Sequence, residues 1–169
     1  MLRLLAILLV IVGVLWAVRR LLAGVGSTST ETQRTPLVME PDEPLMLEAI
    51  STARGSLDEF RRLMAADHRG ARVKVPFRTD TGADEQLWAD VLAVVDPEVE
   101  VHLTTDPVSQ RGSFAKVRRY ALTDLLDWQV ELPDGRYAGG YTMRAMFRKG
   151  REQWGTLPGT LEAEERRYR

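Results

Sequence analysis

Hydrophobic residues follow three patterns along the chain: one unbroken run, one stripe with helical spacing, and several stretches of strict alternation. The unbroken run covers residues 4–18 and contains no charged residue. In lipid, a single segment satisfies its own backbone only as a helix, and a bilayer span takes about 20 residues. The run therefore predicts a transmembrane helix over residues 1–25, with Arg3, Arg19 and Arg20 at the headgroups.

A cleaved signal peptide is the alternative interpretation of this run, because signal peptides have an apolar core of about 7–15 residues. A small-x-small site exists at Gly24 and Gly26, just before Ser27. The two arginines between the apolar core and that site favour an uncleaved, single-pass anchor whose partner is the lipid bilayer. The positive charges on its two sides differ too little to say on which side the rest of the chain lies.

The remainder of the chain divides into a linker, one domain and a tail. Residues 26–44 are rich in Ser, Thr, Gly and Pro, which is typical of a linker. Residues 45–150 are long enough for one domain with one hydrophobic core. Residues 151–169 are polar, and we expect a loose tail there.

The stripe with helical spacing lies in residues 45–66, where apolar residues recur every three or four positions. Ser56 to Glu59 has the sequence of a capping box directly after Gly55, so the helix can break there into two pieces that share one stripe. The stripe consists of Met46, Ile50, Ala53, Leu57, Phe60 and Met64.

Alternation begins at Ala71 and predicts β-strands. In the first strand Val73, Val75 and Phe77 face one way, and Pro76 indicates an edge strand or a bulge. Further strands are predicted over residues 86–95, 98–104, 116–122 and 128–132, with a return strand from residue 137 after a Pro-Asp-Gly turn. Helical spacing then covers residues 143–149, and Gly150 is the expected end of that helix.

These elements predict an α+β fold. The N-terminal transmembrane helix is followed by one domain, in which a helix packs on a strongly bent antiparallel sheet of five or six strands. A short C-terminal helix completes the domain.

Four short motifs carry a resemblance to a known family. Glu85-Gln-Leu-Trp88, Thr105-Asp-Pro-Val108, Asp127-Trp128 and Gly139-Gly-Tyr-Thr-Met-Arg144 follow one another at characteristic gaps. This order resembles the bacterial family of domains of unknown function that includes the YegJ-like proteins. The resemblance implies a small α+β fold and a bacterial origin, but no activity, cofactor or catalytic residue. In a bacterium, we expect the predicted anchor to lie in the cytoplasmic membrane. Family members often carry histidine where this chain has Gln86, so no role of that imidazole is carried over.

Catalytic and metal-binding chemistry has little basis in the sequence. The net charge is −1, there is no cysteine, and the two histidines lie far apart at positions 68 and 102. We therefore predict no metal site, no cofactor and no catalytic residue set.

One group of residues is the candidate binding site: Asp127, Trp128, Gly139, Gly140, Tyr141 and Thr142. The turn after the fifth strand must fold residues 138–142 back towards residues 127–130, because opposed residues of a hairpin lie about 5 Å apart. The group can therefore either fix a corner of the fold or line a binding cleft.

The predicted function is a membrane-anchored, non-enzymatic interaction or ligand-binding module, with another protein as a candidate partner. One alternative is a carboxylate-using hydrolase at the Asp127 corner. The other is a basic headgroup or nucleic-acid binder that uses residues 111–120, although acidic segments on both sides argue against nucleic acid.

Overall fold

The computed structural model of the protein describes residues 39–168. These residues form an antiparallel sheet of six strands and four α-helices. The helices are α1 (Pro44–Gly55), α2 (Leu57–Met64), α3 (Tyr141–Trp154) and α4 (Gly159–Glu165). The strands are β1 (Gly70–Arg78), β2 (Asp84–Val95), β3 (Glu98–Leu103), β4 (Val117–Ala121), β5 (Asp127–Glu131) and β6 (Tyr137–Gly139), in the order β4-β3-β2-β1-β5-β6. The predicted α+β fold is confirmed for this part of the chain.

The predicted transmembrane helix over residues 1–25 lies outside the described residues. Within residues 39–168, none of the helices combines the length and the apolar character that a membrane span requires.

The helical stripe packs on one face of the sheet, as its spacing predicts. Ala53, Leu57 and Phe60 are buried in the main core, whereas Ile50 belongs to a smaller cluster with Met46 and Leu126. The helix does break, but the prediction of a capping box is wrong. The Ser56 hydroxyl donates to the Ala53 carbonyl oxygen at 2.9 Å instead of capping α2.

Strand β1 shows the predicted alternation, since Val73, Val75 and Phe77 are buried in the core. The prediction that Pro76 marks an edge strand is wrong for the strand as a whole, because β1 lies between β2 and β5. Pairing with β5 covers Gly70 to Lys74 only. Pro76, which has no N–H to donate, therefore lies where β1 has a neighbour on one side, a local edge.

The chain after residue 150 is not a loose tail. Helix α3 runs past Gly150 to Trp154, and a Cβ at Gly150 would lie 2.8 Å from Cδ2 of Leu157. The glycine thus permits a close approach of buried Leu157 rather than ending the helix. Near the C-terminus, the Tyr137 N–H donates to the Arg167 carbonyl oxygen at 2.6 Å, which covers the β6 edge of the sheet.

Candidate functional site

The six residues of the candidate site meet at one corner of the fold. The β5–β6 hairpin pairs Gln129 with Gly139, which returns the chain to the start of β5. Gly139 and Gly140 then turn the chain into α3 with φ angles of 78° and 67°, which favour glycine. The first turn of α3 consequently lies against Asp127.

Asp127 is fully buried and accepts four hydrogen bonds, two on each oxygen. Its Oδ1 accepts from the backbone N–H groups of Trp128 at 2.8 Å and Tyr141 at 3.1 Å. Its Oδ2 accepts from the Thr142 N–H and the Thr142 hydroxyl, both at 2.7 Å. Because the cap position of α3 is Gly140, which has no side chain to offer, Asp127 caps the helix from the neighbouring strand.

Two opposing effects act on the Asp127 carboxyl. Burial raises its pKa, while the hydrogen bonds from Thr142, Trp128 and Tyr141 lower it. The amino end of α3 also favours a negative charge there. Lys74 is the cross-strand neighbour of Asp127, and burial lowers the Lys74 pKa while the Asp127 charge raises it.

Trp128 ties the corner to the helical layer. Its indole N–H is shared between the Ala53 carbonyl oxygen and the Ser56 hydroxyl, each at 3.1 Å. Its ring lies 5.5 Å from that of Phe60 and, edge to face, 5.9 Å from that of Tyr141. The buried indole therefore has a polar partner as well as aromatic contacts.

The two glycines allow the backbone of the corner to approach its neighbours closely. A Cβ on Gly139 would overlap the Trp128 carbonyl oxygen and lie 2.7 Å from Cζ3 of the same ring. A Cβ on Gly140 would overlap the Tyr168 ring. Both positions therefore exclude any larger residue for steric as well as conformational reasons.

This geometry favours the corner as a structural brace over the corner as a cleft. All six residues belong to the corner. Asp127 and Trp128, at its centre, have no exposed surface that a ligand could contact. Tyr141 is the exception, because it is half-buried and also lines a groove between α1 and α3 with a volume of about 190 Å³. We call this cavity the α1–α3 groove.

Among the charged residues of the α1–α3 groove, Arg144 ends the Gly139–Arg144 motif, but the sequence predicts no binding role for it or for the others. Arg144 and Arg148 line it from α3, and Glu48 lines it from α1. Charged residues at helical spacing are typical of a solvated face, so no signal in the sequence separates these from other surface charges.

Acidic and basic residues elsewhere are mostly engaged with each other or with backbone. Asp80 accepts from the N–H groups of Arg111 and Gly112, and Glu85 accepts from those of Val108 and Ser109. These hydrogen bonds lower the pKa of both carboxyl groups. Asp80 and Glu85 therefore hold the loop of residues 108–112 in place through its backbone N–H groups.

The basic stretch is likewise offset by acidic neighbours. Lys116 pairs with Asp106 at 3.0 Å, and Arg119 pairs with Glu100 at 3.3 Å. The Arg118 guanidinium lies 4.5 Å from the ring centre of Phe77. Little unpaired positive charge is left along β4 to attract nucleic acid.

Comparison with known families identifies a family for most of the described residues. Residues 43–154 match the family described as an uncharacterized protein conserved in bacteria (DUF2314). Neither the curated proteins nor the solved structures include a significant match to the chain.

Proposed function

The chain belongs to this uncharacterised bacterial family, and we propose that it is a membrane-anchored, non-enzymatic module that binds a ligand or another protein. Its tether is the apolar segment of residues 4–18, and its binding site is the α1–α3 groove. The proposal joins an anchor inferred from sequence to a groove seen in the fold.

The observation that carries the non-enzymatic part is the saturation of Asp127. A carboxylate that acts as a general acid or base must reach the proton it transfers. Both oxygens of Asp127 instead accept two hydrogen bonds each, and the residue is 0% exposed. A hydrolase centred on this corner would therefore need its helix cap to dissociate before substrate could reach it.

The groove is the better place for a ligand because its rim is exposed to solvent and one of its walls packs on a buried side chain. Tyr141 forms part of one wall and packs edge to face on buried Trp128, which fixes its ring. Ala49 and Ala145 supply small apolar surfaces on opposite helices. Small residues on facing helices leave the space that a ligand would occupy.

The anchor places the groove within reach of the bilayer. Helix α1 begins at Pro44, which is the last residue of the predicted linker of residues 26–44. A chain of that length extends at most about 60 Å at roughly 3.3 Å per residue. The groove can therefore bind a molecule at the membrane surface.

The membrane anchor predicts that the full-length protein sediments with membranes and resists carbonate extraction. An integral helix is held by its apolar side chains, whereas a peripheral protein is released when alkaline carbonate disrupts its electrostatic contacts. Mass spectrometry of the pellet should find the N-terminal residues. A soluble mature chain beginning near Ser27 would contradict the anchor, and a C-terminal alkaline phosphatase fusion would assign the side.

A further inference from the structure

The four positively charged residues of helix α3 differ in whether a carboxylate pairs with them. Three of them have carboxylate partners: Arg148 with Glu152, Lys149 with Glu43, and Arg151 with Glu165. The fourth, Arg144, has no ion pair or hydrogen bond to any side chain within residues 39–168.

The surroundings of the Arg144 side chain make this lack of a partner costly. Arg144 is half-buried, and its Nε is buried without a hydrogen-bond partner in the described part of the chain. The guanidinium lies 5.3 Å from the ring centre of Tyr141, which holds it against the groove wall. A charge withdrawn from water is normally compensated by an opposite charge, which here would enter from the α1–α3 groove.

We propose that the α1–α3 groove is an anion site in which Arg144 binds a phosphate or carboxylate group. This inference rests on the proposed binding role of the groove and names its ligand chemistry. A guanidinium presents a planar fork of donors that matches both kinds of oxyanion. Arg148, at the next turn of α3, adds a second positive charge at the rim.

The size and lining of the groove limit what it accommodates. Pockets that enclose whole ligands measure about 300–1,000 Å³, whereas this groove measures about 190 Å³. It therefore takes one functional group and the carbons next to it. Leu45, Ala49 and Ala145 provide an apolar lining for those carbons.

Two sources of such a group are compatible with a membrane-anchored protein: a lipid headgroup and a soluble anion. The experiment uses the full chain with ¹⁵N-labelled arginine in phosphatidylcholine nanodiscs, with the Arg144 Nε–H resonance observed by NMR at constant ionic strength. Inorganic phosphate should shift this resonance saturably, with a dissociation constant on the order of millimolar. A shift in nanodiscs containing phosphatidylglycerol, without added phosphate, would assign the anion to a lipid.

Three variants make the test specific. Arg144→Gln removes the Arg144 signal, so phosphate binding by this variant is followed at the Arg148 Nε–H resonance. Its affinity should fall by about tenfold or more, because hydrogen bonds to charged groups are the strong ones. Arg148→Gln should weaken it less, since Arg148 is exposed and already paired with Glu152. Glu48→Gln should strengthen it, because this change removes a negative charge from the groove.

The proposal is overturned if phosphate and phosphatidylglycerol both leave the Arg144 resonance unchanged, or if Arg148→Gln loses as much affinity as Arg144→Gln. It is also overturned if Glu48→Gln, which removes a negative charge from the groove, weakens phosphate binding instead of strengthening it. In each case carbonate extraction still tests the anchor on its own, so failure of the anion site and failure of the anchor are distinguishable.

Discussion

Replacing Gly139 with alanine is expected to cost about 2–6 kcal/mol of folding free energy, from backbone strain of about 1–3 kcal/mol and overpacking of about 1–3 kcal/mol. The φ angle of 78° disfavours any residue with a Cβ. The new methyl group would also overlap the Trp128 carbonyl oxygen, which is backbone held by strand pairing and cannot move aside cheaply. Urea unfolding of the detergent-solubilised full chain measures the loss.

Gly155→Ala is the matched control for this prediction. Gly155 has nearly the same φ angle, 75°, but a Cβ there would meet nothing within 4 Å. It should therefore lose only the conformational part, about 1–3 kcal/mol. Equal losses at the two positions would show that the close approach of Gly139 to Trp128 does not stabilise the corner.

Replacing Phe60 with aspartate is expected to unfold the domain. Phe60 is 0% exposed and packs on Trp128 with ring centres 5.5 Å apart. Aspartate there would remove that contact and bury a carboxylate with no partner, which costs several kcal/mol, on the order of the whole stability of a small domain. Circular dichroism should report the loss of structure.

Leu47→Asp provides the comparison, because Leu47 lies on α1 but is 53% exposed. This variant should keep its structure and unfold at nearly the same urea concentration as the native chain. A folded Phe60→Asp variant that had lost only self-association would mean that the helical stripe is an interface between chains rather than part of the core.

Local periodicity accounts for the parts of the fold that the sequence predicts well. The spacing of Ala53, Leu57 and Phe60 and the alternation of Val73, Val75 and Phe77 each reflect one buried face, and both sets are buried. The strand order does not follow from such patterns. Placing β1 between β2 and β5 depends on contacts between distant segments, which is why Pro76 suggested an edge for the whole strand.

The sequence predicts which residues lie near Asp127, but it does not predict that Asp127 caps helix α3. A turn signal at residues 133–136 implies a hairpin, and the hairpin brings residues 139–142 back to the start of β5. Capping patterns in sequences involve residues next to the helix start. A cap supplied from another strand, 14 residues before Tyr141, leaves no such pattern.

The prediction of a loose tail over residues 151–169 is wrong because the segment contains few apolar residues, and those few are buried or packed. Leu157 and Tyr168 lie in a mostly polar stretch, so composition predicts a loose tail. Leu157 is nevertheless buried against Gly150, and the Tyr168 ring lies 5.5 Å from that of Phe147. These two side chains therefore pack the segment of residues 151–168 against the domain, although its overall polarity is typical of a solvated tail.

The central claim, that Asp127 is a structural cap and not a catalytic carboxylate, is tested most directly by the free energy of unfolding of Asp127→Asn. An asparagine has one acceptor oxygen, so at least one buried N–H that donates to Asp127 loses its partner. The orphaned donor costs about 1–3 kcal/mol, and loss of the charge at the amino end of α3 adds about 0.3–2 kcal/mol. Thr142→Val, which removes only the hydroxyl donor, should lose about 1 kcal/mol. We predict that Asp127→Asn is clearly less stable than both the native protein and Thr142→Val. The account would be contradicted if the Asp127→Asn protein were as stable as the native chain or more stable. That result is expected of a carboxylate that is retained for activity at a cost in stability.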